Sequence, residues 1–368
     1  MKNFEYGDKE IGQKEVAYAV SNMVIGLGIL TLPSTIVAAT TSSDGWMSIL
    51  LGGLIALGCA WGIAKLVIRF PKMNYFEITA KLTNPAVASI VTLLFALYMF
   101  LFVSIEVRGV SSISKLYLFD TTPVEAICFF FLLVLLYGVA GPSVSLLRLN
   151  LLYLPIIVFI VLAVLIMSLG DFNIRLLKPA FVTPWSEIAI AAKETSISFL
   201  GFEILLFYNV FVNKPQKTVK SVLLGLLVPL VIYELVLVFV IGVFGSVVVA
   251  NTMYPLAEMA KQIEVPGGFF ERFESLFFAV WVMSLFSTAA MALDITLLAL
   301  RQVFRKTSRM TFIIGMAPLL FLIAMQPKNI VEVRMFSTWV SYMGIGIAWI
   351  VPVMLLLMAK LRGVRGDA

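Results

Sequence analysis

Ten apolar stretches, most of them free of charge, run through this chain at 16–43, 45–64, 83–105, 126–147, 149–170, about 189–212, about 221–249, about 275–300, 310–326 and 335–359. About 20 apolar residues match the hydrocarbon thickness of a bilayer. Inside that layer every backbone N–H and C=O must be satisfied by the protein itself, which leaves helices and closed barrels. Runs this long and this uniformly apolar select helices. The composition agrees: 61% of the 368 residues are hydrophobic and 13% charged, and the mean hydropathy is +1.02. A soluble domain is roughly half apolar and a quarter charged. The chain reads as an all-α polytopic membrane protein with ten transmembrane helices, a single transmembrane domain over 1–368 in a lipid bilayer. Soluble enzymes are excluded.

Other chemistries leave with the composition. There is no histidine, and the two cysteines, Cys59 and Cys128, sit in apolar runs. Metal sites built from His and Cys, His-dependent nucleophiles and a disulfide framework all lack their parts. No catalytic residue, metal or cofactor is expected. The excess of 27 Lys and Arg over 21 Asp and Glu would suggest nucleic acid in a soluble protein. Here it reports membrane orientation instead.

The segments 1–15, 65–81, 214–220, 301–309 and 360–365, with Arg148, hold 18 Lys and Arg, and the opposite side holds 7. That asymmetry places both termini in the cytoplasm, and it requires an even number of spans. The polar start, with no small-residue cleavage pattern after it, marks the first run as a retained span. Two stretches between spans, 75–82 and 255–263, read as interfacial helices.

The spans divide into two sets of five, about 16–170 and about 189–360, joined by an outer loop at 171–187. An odd number in each half inserts the second half upside down, the inverted-repeat plan in which the first helix of each repeat is broken at mid-membrane. Both break points carry glycine: Ile25-Gly26-Leu27-Gly28 in the first span, and Ser198-Phe199-Leu200-Gly201 in the sixth. Unwound backbone at that depth survives only where it lines a cavity. The N–H groups opening the second half of the first span would face a carboxylate, and freed carbonyls of both spans would accept from an ammonium. An amino acid fits such a site. The bland alternative is that the glycines only permit close helix packing.

Several motifs carry a resemblance. "GLGILTLP" in the first span, "DGW" at Asp44 to Trp46, "EVR" at Glu106 to Arg108, "SISFLGFE" in the sixth span and "ERFES…VW" at 271–281 resemble, in order and over nearly the whole chain, the B subunit of GerA-type spore germinant receptors. That family is similar to the amino acid–polyamine–organocation transporters, so the resemblance implies a LeuT-like 5+5 fold. It also implies a nutrient sensor in the inner membrane of the bacterial endospore, working beside an A subunit and a lipoprotein C subunit. By the same resemblance Thr288 in the eighth span is a ligand-facing hydroxyl and Phe102 caps the pocket. Otherwise Thr288 bonds its own i−4 carbonyl and Phe102 faces lipid.

Glu106, Arg108, Glu203, Glu234 and Asp294 lie at or near membrane depth, where an unpaired charge costs at least about 2.5 kcal/mol. Glu106 and Arg108 point about 200° apart on a helix, so at least one must reach another element. An intramembrane charge network of Glu106, Arg108 and Glu203 is expected, serving either as an interhelix lock or as ligand contacts. Proton-driven members of the transporter superfamily that the resemblance implies commonly place a lysine in the fifth span; here that span has no charged residue, which weakens proton coupling. A sodium site from first-span carbonyls with Ser287 and Thr288 stays open. The expected ligand contacts are thus Ile25, Gly26, Leu27, Gly28, Phe102, Ser198, Leu200, Gly201 and Thr288. The expected function is sensing of a nutrient, an amino acid, with a secondary amino acid transporter as the rival. No nucleic acid partner is expected.

Overall fold

A computed structural model describes residues 9–40, 42–263 and 273–366. Lys2, counted for orientation, and Glu271 and Arg272 of the "ERFES" motif lie outside the described residues. In chain order the helices are α1 (Gln13–Ile25), α2 (Gly28–Thr40), α3 (Gly45–Arg69), α4 (Tyr75–Leu82), α5 (Pro85–Tyr117), α6 (Val124–Ala140), α7 (Ser143–Met167), α8 (Trp185–Ser198), α9 (Leu205–Tyr208), α10 (Thr218–Phe244), α11 (Ser246–Asn251), α12 (Pro255–Lys261), α13 (Phe273–Val303), α14 (Arg309–Met325), α15 (Ile330–Gly344) and α16 (Val351–Leu361). Six helical runs are long and apolar enough to cross a membrane, and α1 with α2 makes a seventh crossing bent by 50°. Shorter apolar helices at Val124–Ala140, Phe202–Phe211 and Arg309–Met325 supply the other three. The only β pairing among the described residues is an isolated bridge, where Ile11 ahead of α1 pairs with Val212 after the sixth span.

The bundle shows its two-fold plan in how the broken spans seat. α1 packs against α10, and α8 packs against α3, the exchange expected when the first and sixth spans, and the second and seventh, are equivalent. Each crossing closes on a glycine. A Cβ at Gly225 of α10 would lie 2.6 Å from the Ala17 carbonyl of α1, and one at Gly52 of α3 would lie 2.9 Å from the Ala192 carbonyl of α8. Small residues let helices approach when lipid offers no hydrophobic drive between them. Side chains reinforce both contacts: Ser21 Oγ donates to the Gly225 carbonyl at 2.7 Å, and Ser48 Oγ donates to the Ile188 carbonyl at 3.1 Å.

Two expectations need correction. The third span does not end at Ile105: α5 runs 33 residues to Tyr117 and carries Glu106 and Arg108 within it. The segment at 255–263 is not interfacial in character. Pro255, Leu256, Ala257, Met259 and Ala260 of α12 are buried, and the helix packs on α2, α10 and α13. Its Glu258 suggests a wet surface, yet Glu258 accepts a 2.7 Å hydrogen bond from the Tyr117 hydroxyl. Of the two, α4 keeps its expected bounds.

Asp44 of the "DGW" motif shows what that motif does. Its carboxylate accepts the backbone N–H groups of Phe181, Val182 and Thr183, at 2.8 and 2.9 Å for the last two. It pins the loop between the halves to the start of α3. Burial raises the Asp44 pKa, but the backbone donors outweigh that and bring it below its ordinary 3.8. A depressed carboxylate stabilises the fold above its unfolded pKa, and that contribution is lost as pH falls through the folded value. Asp44→Asn should therefore lower the unfolding temperature of the purified protein at neutral pH. The gap from wild type should close as pH drops below about 4. A gap constant down to that acidity would show that the charge is not what holds the loop.

Candidate functional site

The first span breaks where its glycines fall. α1 ends at Ile25, α2 begins at Gly28, and the Gly26 N–H reaches only a long 3.4 Å bond to the Asn22 carbonyl. The sixth span breaks after Ser198, and Gly201 adopts φ +142°, a region that favours glycine. The two breaks touch. A Cβ at Gly201 would lie 3.0 Å from Met23 Cγ and 3.1 Å from Val24 Cγ2. The Tyr233 hydroxyl of α10 stands between them, donating to the Val24 carbonyl at 2.7 Å and lying 3.4 Å from the Ser198 carbonyl. One freed carbonyl expected to take a ligand ammonium, that of Val24, is thus already served by a side chain. Gly28 is needed for this: its Cβ would lie 2.7 Å from that hydroxyl.

Gly26 opens toward a different set of groups. A Cβ there would sit 3.4 Å from Thr288 Cγ2, 3.5 Å from Thr288 Oγ1 and 3.6 Å from Glu106 Oε1. Thr288 Oγ1 lies 3.1 Å from its own i−4 carbonyl, Ser284, and 3.3 Å from the Asn22 carbonyl. It ties α13 to the end of α1 while showing its methyl to Gly26. Ile25 is fully buried. Leu27 packs onto Gly109 of α5, where a Cβ would come within 2.5 Å of its Cδ1. Leu200 is 7% exposed, Ser198 takes part through its backbone, and half-buried Phe102 has its ring 6.5 Å from that of Tyr98.

The expected charge network is not one network. Glu203 Oε2 accepts the Gly201 N–H at 2.7 Å, and its Oε1 accepts the Tyr98 hydroxyl at 2.9 Å. It caps the sixth-span break from within and holds it to α5. Glu106 faces the other break: its carboxylate interacts with the Leu27 backbone N–H, and Oε2 has no hydrogen-bond partner at 2% exposure of the residue. Arg108 points elsewhere, toward Met325 Sδ of α14 at 3.8 Å, with Nε unpartnered. Glu106 and Arg108 stand two positions apart on α5, and that spacing separates them. Among the described residues the three make no ion pair with one another. Glu234 of α10 also keeps one carboxylate oxygen unpartnered.

Neutral polar residues missed in the sequence complete the core. Asn22 of α1 donates to Asn150 Oδ1 of α7 at 2.7 Å, and Ser287 Oγ donates to the same oxygen at 2.8 Å. Ser284 Oγ lies 3.3 Å from Asn22 Oδ1. The hydroxyls considered for a sodium ion are thus engaged by one buried amide, that of Asn150, and by the backbone carbonyls of Asn22 and Ser284. The signal was present: an asparagine in an apolar run must find a partner.

Comparison with known proteins follows the same lines. The spore germination protein family matches residues 10–333. Spore germination protein GerLB of Bacillus cereus is 37% identical over all of this chain and 98% of its own length. Spore germination protein YndE of Bacillus subtilis (strain 168) is 31% identical over 97% of this chain and 98% of its own. Among solved structures, MhsT in complex with L-phenylalanine superposes with a TM-score of 0.69 at 17% identity, covering 97% of this chain and 90% of that one. Mhp1, a nucleobase-cation-symport-1 family transporter, gives 0.64 at 15% identity over 98% and 85%. These last two share the LeuT fold.

Proposed function

This chain belongs to the spore germination protein family, and from that premise we propose that it is the nutrient-sensing membrane subunit of a germination receptor, binding an amino acid where the first and sixth spans break. The observation that carries this reading is the meeting of both breaks near Gly26, whose open side faces Thr288 and the Glu106 carboxylate, of which Oε1 lies toward Gly26 and Oε2 has no hydrogen-bond partner. Glu106 Oε2 is the acceptor for the ligand's ammonium, since it has no protein partner while the Val24 carbonyl already takes the Tyr233 hydroxyl. The first-turn N–H groups of α2, which a helix leaves unsatisfied, receive its carboxylate. The fold supports a small-molecule site at this depth, and MhsT, which shares it, is solved with L-phenylalanine. The repeats occupy about 16–170 and 189–360. Both termini lie in the cytoplasm, and the protein resides in the inner membrane of the endospore. Ligand binding favours one arrangement of the broken spans over another, and the A and C subunits read that shift.

The test is a thermal-shift screen of single amino acids on purified wild type and Thr288→Val, with dose-dependent germination at matched protein abundance. Loss of one neutral hydrogen bond is worth about 0.5–1.5 kcal/mol, so Thr288→Val should raise the half-maximal nutrient concentration roughly 2- to 12-fold. An unchanged dose response would remove Thr288 from the site. Accumulation of the same amino acid in proteoliposomes would replace the sensor with a transporter.

A further inference from the structure

A second groove lies along the same helices, toward their N-terminal ends. Between α1 and α10, on the side of the chain's N-terminus, runs a groove of about 440 Å³. Two helical stripes build it. One descends α1 through Lys14, Ala17, Tyr18 and Ser21, spaced three and four apart. The other descends α10 from Lys217 and Lys220 to Leu224 and Val228. Each stripe is cationic in its first turn and apolar below. Lys14, Lys217 and Lys220 are exposed, and among the described residues none of them has a carboxylate partner.

The frame is fixed rather than incidental. Gln13 Oε1 accepts the Ser221 hydroxyl at 2.7 Å, and Gln13 Nε2 donates to the Lys214 carbonyl at 3.0 Å. The floor is the Gly225–Ala17 crossing, where the helices meet backbone to backbone. Both helices also start here, turning their partly positive ends toward the same place. A soluble anion would use only the rim. A groove with three lysines at its mouth and an apolar channel along two spans matches an anion that carries a hydrocarbon chain. Basic pockets between spanning helices bind anionic headgroups on these terms.

We propose that the α1–α10 groove binds an anionic phospholipid, its phosphate against Lys14, Lys217 and Lys220 and an acyl chain along Ala17, Leu224 and Val228. A lipid seated there bridges the first half of the broken first span to the seventh span and holds them together. The site therefore sets how readily α1 can move, independently of what occupies the helix breaks.

The experiment is native mass spectrometry and thermal unfolding of the full chain in a non-ionic detergent. The additions are phosphatidylglycerol, phosphatidylcholine or inorganic phosphate. Wild type should retain phosphatidylglycerol and unfold at a higher temperature with it, and should do neither with phosphatidylcholine or phosphate. Each lysine near the surface contributes about five-fold to such affinity, so K14Q/K217Q/K220Q should bind phosphatidylglycerol about a hundred-fold more weakly. Its unfolding temperature without lipid should match wild type, because these side chains have no protein partner among the described residues. Val228→Trp, which fills the apolar channel, should also lose the lipid. R301Q/K306Q, which alters exposed cations elsewhere, should keep it. Equal retention by wild type and the triple variant overturns the proposal. An equal shift from inorganic phosphate reduces the groove to an ion site and overturns it too, as does equal retention of phosphatidylcholine.

Discussion

Asp294→Ala is expected to remove most of the protein from the membrane fraction. Asp294 of α13 is fully buried, and both of its oxygens are used. Oδ1 takes the Arg309 guanidinium at 2.5 Å and the Ser143 hydroxyl at 2.9 Å, and Oδ2 takes the Tyr208 hydroxyl at 3.0 Å. Arg309, at the start of α14, also donates to the Val139 carbonyl of α6 at 2.6 and 2.9 Å. One carboxylate thus joins α13, α14, α7 and the sixth span, while its cation holds the end of α6. Breaking a buried pair by removing one partner costs about 3–5 kcal/mol, because a charge is left without compensation. That is a large share of a typical total of roughly 5–15 kcal/mol. Removing both charges with Asp294→Leu and Arg309→Met should cost less than Asp294→Ala alone. Immunoblots of membrane fractions and thermal unfolding of whatever remains would measure this. If Asp294→Ala is as abundant and as heat-stable as wild type, the cluster does not hold the bundle.

The same cluster marks the limit of sequence reading. Arg309 enters the orientation count as one more basic residue of the 301–309 segment, and nothing local distinguishes it from Lys306. Its partner lies on the preceding helix and its other contacts some 170 positions away, so burial there is a tertiary fact. The spans were legible because hydrocarbon demands about twenty apolar residues in a row. The breaks were legible because the glycines of the first and sixth spans fall where an inverted repeat breaks the first helix of each half. Formal charges at depth could be picked out, but their partners could not. Glu203 bonds its own break and Tyr98, while Glu106 and Arg108 part company on α5. Neutral polar groups were harder still. Asn22, Asn150 and Tyr233 went unremarked in the sequence, yet the two asparagines bond each other and Tyr233 donates to the Val24 carbonyl at the first break. The α12 segment misled because its charges, Glu258 and Lys261, sit on a short helix whose other face is buried.

Gly26→Ala should leave the protein in place and cost it its response. The new methyl would sit 3.4–3.6 Å from Thr288 and Glu106, ordinary contact distances, so no neighbour has to move to admit it. The methyl nonetheless occupies the space between the hydroxyl and the carboxylate assigned to the ligand. One methylene too many in a fitted pocket shifts discrimination by about 10- to 200-fold, so the half-maximal nutrient concentration should rise by at least an order of magnitude. Gly201→Ala differs in kind. There the backbone sits at φ +142° and the methyl would meet Met23 and Val24 at 3.0–3.1 Å. Strain of about 1–3 kcal/mol and displaced neighbours should lower abundance and response together. The two glycines thus separate a pocket from a hinge. Germination dose–response curves normalised to membrane abundance decide it. A Gly26→Ala protein that is abundant and fully responsive would move the ligand away from the first-span break, whatever Gly201→Ala does.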